Sequence, residues 1–142
     1  MKRGRRIAFD YGDVRIGVAI SDPDSILASP LTTLLSGDPK LLSQISELIN
    51  EHEPIAMYVG DPLNLSGESS NSAYKAKAFA ERLISEFQIP VTMIDERLST
   101  VSATNAMRQS GINSKEARSK IDMAAAVAIL EQGLAMEKAK HA

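Results

Sequence analysis

Short apolar runs and longer amphipathic segments alternate along the chain. The apolar run over 6–11 is followed by Gly12 and Asp13, a pattern that predicts a strand ending in a turn. The apolar run over 15–21 is the expected returning strand of that hairpin, and a third short strand is expected over 31–35. The chain is therefore predicted to begin with three strands in succession.

Helical spacing begins after the third strand. Asp38 and Pro39 suit an N-cap and a first helical position, and apolar residues at helical spacing carry this predicted helix to about Glu53. Strands and helices are then expected to alternate. The predicted strands cover 55–59 and 91–94, and the predicted helices cover 71–87, 100–109 and a last segment that begins between Asn113 and Lys120 and runs to about Glu137.

This order of elements predicts an α/β domain with a mixed sheet covered by helices. The strands are near-continuous apolar runs rather than alternations of apolar and polar residues, which is typical of a sheet buried on both faces. The length of 142 residues suggests one domain, over 1–142, that is large enough to bury a hydrophobic core.

The composition narrows the function classes. The absence of cysteine excludes disulfides, thiolate metal sites and a cysteine nucleophile, and it suits a reducing cytoplasm. No apolar run approaches the roughly 18 residues that a membrane helix needs. HExxH, Walker A and GxGxxG motifs are absent. The two histidines, His52 and His141, lie at a predicted helix end and in the tail, which argues against a histidine-centred mechanism.

The formal net charge of −2 argues weakly against a general nucleic-acid coat protein, but carboxylates that hold cations also count as negative charge, so a nuclease stays open. Two local groups of basic residues could contact phosphate or could equally be solvated surface. The first consists of Lys2, Arg3, Arg5 and Arg6, and the second, looser group consists of Arg108, Lys115, Arg118 and Lys120.

Carboxylates interrupt apolar surroundings in separate segments. Asp10 stands in an apolar strand, where a charge is costly unless it is paired or bound to metal; alternatively, it opens the turn at Gly12. Asp95 and Glu96 follow the strand over 91–94, and they could hold a cation or simply cap the strand. Because successive strand side chains point to opposite faces, only one of the two should face a given site, and we favour Glu96.

Asp122 is the third candidate. Its neighbours one and two turns further along the predicted last helix are Ala125, Ala126 and Ile129, so its side chain should project from the inward face. The alternative is an early-helix aspartate favoured by the helix dipole. Together with Asp10 and Glu96 it forms a candidate catalytic set for Mg²⁺ or Mn²⁺, hard ions that prefer oxygen ligands and promote phosphodiester cleavage.

The segment over 60–67 follows a predicted strand and precedes a predicted helix. Gly60 and Gly67 would let backbone approach a phosphate, and Asn64 and Ser66 could contact phosphate oxygens there. An ordinary connection between two elements is the equal alternative. Arg97, next to the Asp95–Glu96 pair, is a further candidate phosphate contact.

The motifs met so far resemble those of the YqgF family, also called RuvX-type, whose RNase H-like fold is related to that of Holliday-junction resolvases. Four motifs in register over nearly the whole chain carry the resemblance. They are Phe9 to Gly12 with Arg15 to Ala19, Gly60 to Asn64 with Gly67, Asp95 to Thr100, and Lys120 to Ala125 with Ile129 and Leu130.

The resemblance implies a five-stranded mixed sheet of the RNase H-like kind with helices on both faces, and a metal site of Asp10, Glu96 and Asp122 that binds Mg²⁺ or Mn²⁺. It implies a cytoplasmic endonuclease that acts on nucleic acid, as a monomer or a homodimer. The substrate is either precursor 16S rRNA, matured at its 5′ end in ribosome biogenesis, or branched DNA. Arg15 joins the candidate nucleic-acid contacts. Asp61 departs from the family, which commonly has an apolar residue there; its charge either weakens phosphate binding or helps to hold a cation.

Two other classes stay open. The sequence from Asp10 to Gly12 followed by a hairpin also opens actin-like ATPase domains, but such proteins need two related domains. A non-catalytic binding module, for instance a ribosome-assembly factor, would keep the fold without cleavage. The intact acidic set argues against such a module, because carboxylates near phosphates are unfavourable without cations.

Overall fold

Five strands form one mixed sheet in the computed structural model, which describes residues 1–62, 71–96 and 115–141. The strands are β1 (Arg6–Tyr11), β2 (Arg15–Ser21), β3 (Ala28–Leu35), β4 (Ala56–Asp61) and β5 (Val91–Asp95), in the order β3-β2-β1-β4-β5 across the sheet. The first three strands are antiparallel neighbours, whereas β4 is parallel to β1 and β5 is parallel to β4. The predicted mixed five-stranded sheet is confirmed.

Helices cover both faces of this sheet. The described part of the chain contains α1 (Leu41–His52), α2 (Asn71–Phe87) and α3 (Lys115–Lys140). Ile7 and Phe9 of β1 join the apolar core that includes α1 and α2, whereas Ala8 joins the core formed with α3. This alternation follows from the strand geometry, in which successive side chains point to opposite faces. None of the described helices is both long and apolar enough to cross a membrane.

Several helices and strands begin or end at other residues than the sequence predicts. The prediction that α1 begins at Asp38 and Pro39 is wrong, because Asp38 opens a turn that precedes the helix: its carboxylate accepts a hydrogen bond from the Lys40 N–H at 2.8 Å, and its carbonyl oxygen accepts one from the Leu41 N–H at 3.0 Å. β3 begins at Ala28 rather than at 31, because its half-buried, partly polar residues give a weak apolar signal. α3 extends past Glu137 to Lys140. The helix predicted over 100–109 lies outside the described residues.

A buried ionic network joins the start of β1 to the end of α3. Arg6, only 2% exposed, donates to Glu137 at 2.6 Å and to the Ser25 hydroxyl at 3.0 Å, and the Tyr58 hydroxyl also donates to Glu137. The prediction that Arg6 belongs to a surface group of basic residues is therefore wrong, because its charge is neutralised inside the protein. Burial and the neighbouring Glu137 carboxylate raise the pKa of Tyr58, which keeps its hydroxyl protonated as a donor.

We expect Glu137→Gln to lower the free energy of unfolding by about 2 kcal/mol at neutral pH, because Arg6 and Tyr58 lose a charged hydrogen-bond acceptor. Although burial raises it, hydrogen bonds from Tyr58 and Arg6 hold the pKa of Glu137 below its ordinary value. The ionised Glu137 carboxylate therefore makes its full contribution to the free energy of unfolding above the ordinary pKa of a glutamate. This contribution is lost as the pH falls through the lowered pKa of Glu137 in the folded protein.

Denaturant unfolding over a series of pH values tests this expectation. The difference between wild type and Glu137→Gln should narrow on acidification below pH 4.5, the ordinary pKa of the carboxyl. Glu131→Gln, which alters an exposed glutamate of the same helix, is the matched control and should show no such change. A difference that stayed constant down to acid pH would contradict the role of this ionic network.

Candidate active site

Asp10 lies within β1 on the face that α3 covers. It follows Ala8 by two residues, so both side chains point to the same side of the sheet. Its cross-strand partner on β2 is Gly17. Asp10 is only 7% exposed, and a buried carboxylate in a strand is costly unless other groups neutralise it.

Asp122 reaches this same region because α3 rests directly on Gly17. A Cβ atom at Gly17 would overlap the carbonyl oxygen of Asp122, so only glycine lets the helix approach β2 this closely. Asp122 is 5% exposed, as its predicted inward face requires. The missing side chain at Gly17 thus brings a second carboxylate into the neighbourhood of Asp10.

Glu96 reaches this face from the other side of β1. It comes directly after β5 and is 6% exposed. A Cβ atom at Gly60 of β4 would lie 2.8 Å from Glu96 Oε1 and 2.5 Å from Ile129 Cδ1 of α3. The Glu96 side chain therefore lies over Gly60, on the face that α3 covers.

Two glycines thus flank Asp10 across the sheet. Gly17 is its partner on β2, and on the other side Gly60 follows Val59, the partner of Phe9 on β4. Neighbouring strands lie about 4.8 Å apart, so Asp10 is within one strand spacing of each glycine. The structure brings the three predicted carboxylates to one region of one face, near the carboxyl ends of the parallel strands, where ligands of α/β sheets commonly bind.

Arg15, the first residue of β2, supplies positive charge in this region. Its Nε donates to Asp122 Oδ2 at 2.6 Å, and the two side chains are 23% and 6% exposed. The sequence predicts Arg15 as a nucleic-acid contact. In the structure its guanidinium is hydrogen-bonded to Asp122, which is itself a predicted metal ligand. The carboxylate of Asp122 is therefore already neutralised in part by a residue of its own chain.

The chemistry of the three candidate ligands fits a hard divalent cation. The candidate ligands are oxygen donors, which Mg²⁺ and Mn²⁺ prefer, and each of them is buried. Within residues 1–62, 71–96 and 115–141, however, no three His, Asp or Glu side chains are gathered closely enough to hold a metal ion as they stand. In this arrangement Asp122 Oδ2 accepts the hydrogen bond from Arg15 Nε.

The predicted nucleic-acid contacts divide into two groups. Gly60 and Arg15 lie at this site, beside Glu96 and Asp122 respectively. Asn64, Ser66, Gly67 and Arg97 lie outside the described residues, and they stay predictions. Asp61, the departure from the family pattern, ends β4 and is the register partner of Asp95 on β5.

Sequence reasoning missed two features of the site. The first is the contact of Gly17 with α3, and its signal was a glycine inside an apolar strand, which often marks a close approach of backbone. The second is Arg118, one turn before Asp122, which was predicted only as part of a basic group. Its Nε is buried, and the described structure shows no hydrogen-bond partner for it. Its i, i+4 spacing places Arg118 on the same side of α3 as Asp122.

The sheet order, the helices on both faces and the acidic face define an RNase H-like fold, as the sequence predicted. The structure of Thermus thermophilus RuvC in complex with a Holliday junction substrate matches it with a TM-score of 0.59 at 19% identity, covering 94% of this chain and 96% of that one. A similarity at this level of identity establishes the fold.

The chain belongs to the RuvX family, described as Holliday junction resolvase, whose family model matches residues 4–136. The predicted family resemblance is confirmed. A Streptomyces avermitilis protein is 46% identical over 140 residues, covering 97% of this chain and 90% of the relative. A Corynebacterium jeikeium protein is 47% identical over 131 residues, covering 91% of this chain and 84% of the relative. Both relatives carry the name "Putative pre-16S rRNA nuclease".

Proposed function

We propose that this protein is a metal-dependent endonuclease that hydrolyses phosphodiester bonds at the 5′ end of precursor 16S rRNA. Asp10, Glu96 and Asp122 are its catalytic residues and hold Mg²⁺ or Mn²⁺. The observation that supports the proposal is that three buried carboxylates, from β1, the end of β5 and α3, lie on the same face of the sheet.

The burial of these carboxylates supports a cation-dependent role. Carboxylates on one face of a sheet attract a cation, and the attraction is stronger where burial keeps water away. When bound, a divalent ion would activate a water molecule and stabilise the charge of the phosphate and the leaving oxygen. The chain's own part is to hold the oxygen donors in place: Asp10 in a central strand, and Asp122 on a helix held against Gly17.

The basic side chains around the carboxylates support a phosphate-containing substrate. Arg118, one turn before Asp122 on the same side of α3, has a buried Nε that lacks a partner in the described structure, and its guanidinium carries further N–H donors that can contact a phosphate oxygen. We propose Arg118 as a phosphate contact together with the predicted set. That set comprises Gly60, Asn64, Ser66, Gly67, Arg97 and Arg15.

The choice of RNA rests on the relatives. The names of relatives that share 46% and 47% identity favour precursor 16S rRNA, whereas the family description favours branched DNA as the second candidate. We further propose that residues 1–142 act as a single domain in the cytoplasm, a compartment that suits a chain without cysteine.

Cleavage of two substrates in parallel tests the function. We expect the purified protein to shorten the 5′ end of a precursor 16S rRNA transcript in Mg²⁺ or Mn²⁺, to leave a four-way DNA junction intact, and to lose all activity in EDTA. Cleavage of the junction alone would replace RNA with branched DNA as the substrate. Tight RNA binding in EDTA, with no cleavage in either metal, would favour a non-catalytic module.

A further inference from the structure

The ion pair between Arg15 and Asp122 differs from the surface ion pairs of this protein. It joins the start of β2 to α3, across 107 positions of the sequence, and the Asp122 side chain is almost fully buried. By contrast, the side chains of the Arg3–Asp24 pair are 73% and 57% exposed. Exposed pairs interact weakly because water screens them, whereas a pair shielded from water is strongly coupled.

Arg15 and a divalent cation would compete for the carboxylate of Asp122. A carboxylate has enough lone pairs for both partners, but a guanidinium and a divalent ion on one carboxylate repel each other, and burial weakens the screening of that repulsion. Asp122 faces Arg15 in the structure, and within the described residues no three acidic side chains are gathered for metal binding. The two cations should therefore exclude each other at this residue.

We propose that Arg15 is a positioning residue that stands in for the divalent cation, neutralising Asp122 in the metal-free protein and leaving Asp122 Oδ2 when metal binds. This inference rests on the proposed function, because it assumes that Asp122 is a metal ligand. Arg15 then stabilises only the metal-free state, so it lowers the affinity of the site for metal. An arginine that only held α3 against β2 would have the opposite effect, because its loss would disorder Asp122 and weaken metal binding.

Titration of the purified protein with Mn²⁺ separates these two roles. By linkage, a group that stabilises only the metal-free state weakens metal binding. We expect Arg15→Gln to lower the Kd for Mn²⁺ on the order of tenfold. The same variant should melt at a lower temperature without metal and gain more in Tm from saturating Mn²⁺ than wild type does. Arg15→Lys, which keeps the charge, should have a Kd between those of wild type and Arg15→Gln.

Arg3→Gln is the matched control, because it removes an exposed arginine–aspartate pair at the opposite end of the strands and should leave the Kd unchanged. The wild-type protein gives an independent measurement. The Arg15 Nε–H should exchange slowly with water in the metal-free protein, as a hydrogen-bonded donor does, and faster when Mg²⁺ is added. This NMR measurement carries the test if Arg15→Gln does not fold.

The two proposals fail in different ways. A wild-type protein that binds no Mn²⁺ would overturn the proposed function and this inference together. A wild-type protein that binds Mn²⁺, with an Arg15→Gln variant that binds it equally or more weakly, would overturn only the role of Arg15. In wild type, an Arg15 Nε–H that still exchanges slowly with water when Mg²⁺ saturates the site would also overturn only the role of Arg15.

Discussion

Asp10→Asn is expected to lower the rate of precursor rRNA cleavage by about 10²–10³-fold or more, the range found when one preorganised electrostatic group is removed from an active site. Asp10 lies at the centre of the acidic face, between Gly17 and Gly60. Asparagine keeps the shape of the side chain but removes the negative charge, so a divalent ion loses a principal ligand. The measurement is the single-turnover rate of cleavage at saturating Mg²⁺.

The same substitution should leave the protein folded without metal. Asparagine is close to aspartate in size and shape, so metal-free Asp10→Asn should still unfold in one cooperative transition. Asp13→Asn is the matched control: Asp13 lies just after β1, is exposed and pairs with Lys75 at 2.9 Å. Equal cleavage by wild type and Asp10→Asn would exclude Asp10 as a catalytic ligand.

The elements that position the site could be predicted because their signals are local. The inward direction of Asp122 follows from Ala125, Ala126 and Ile129 at helical spacing, and these three residues are buried in the structure. Strand alternation predicted that only one of Asp95 and Glu96 faces the site, and the favoured residue, Glu96, lies on the face that α3 covers. Such periodicities require only residues close together in sequence.

The pairings of buried charges could not be predicted in this way. Arg6 meets Glu137 across 131 positions, and Arg15 meets Asp122 across 107. Hydrophobic spacing reveals which face of an element is buried, but it carries no information about which polar groups meet there. Arg6 consequently resembled a member of an N-terminal basic group, although in the structure it is a neutralised core residue. The start of α1 was misplaced for a related reason, since an aspartate before a proline is equally suited to a turn and to a helix cap.

Gly17→Ala is expected to lower the free energy of unfolding by about 3 kcal/mol, at the upper end of the usual cost of overpacking. The added Cβ would overlap the carbonyl oxygen of Asp122 and approach the following peptide nitrogen at 3.1 Å. These are backbone atoms of α3, so no side-chain rotation relieves the overlap and the helix must move away from β2. Denaturant unfolding of the metal-free protein measures this cost.

The displacement of α3 gives Gly17→Ala a second expected effect, on catalysis. A shift of about 1 Å in a positioned group can reduce a rate on the order of 10²-fold, and the shifted segment carries Asp122. Gly37→Ala is the matched control, because no described atom lies within 4 Å of a Cβ at that position, and it should leave both stability and cleavage close to wild type. If Gly17→Ala were as stable and as active as Gly37→Ala, α3 would not need its close contact with β2. The placement of Asp122 beside Asp10, on which the proposed metal site depends, would then lose its structural basis.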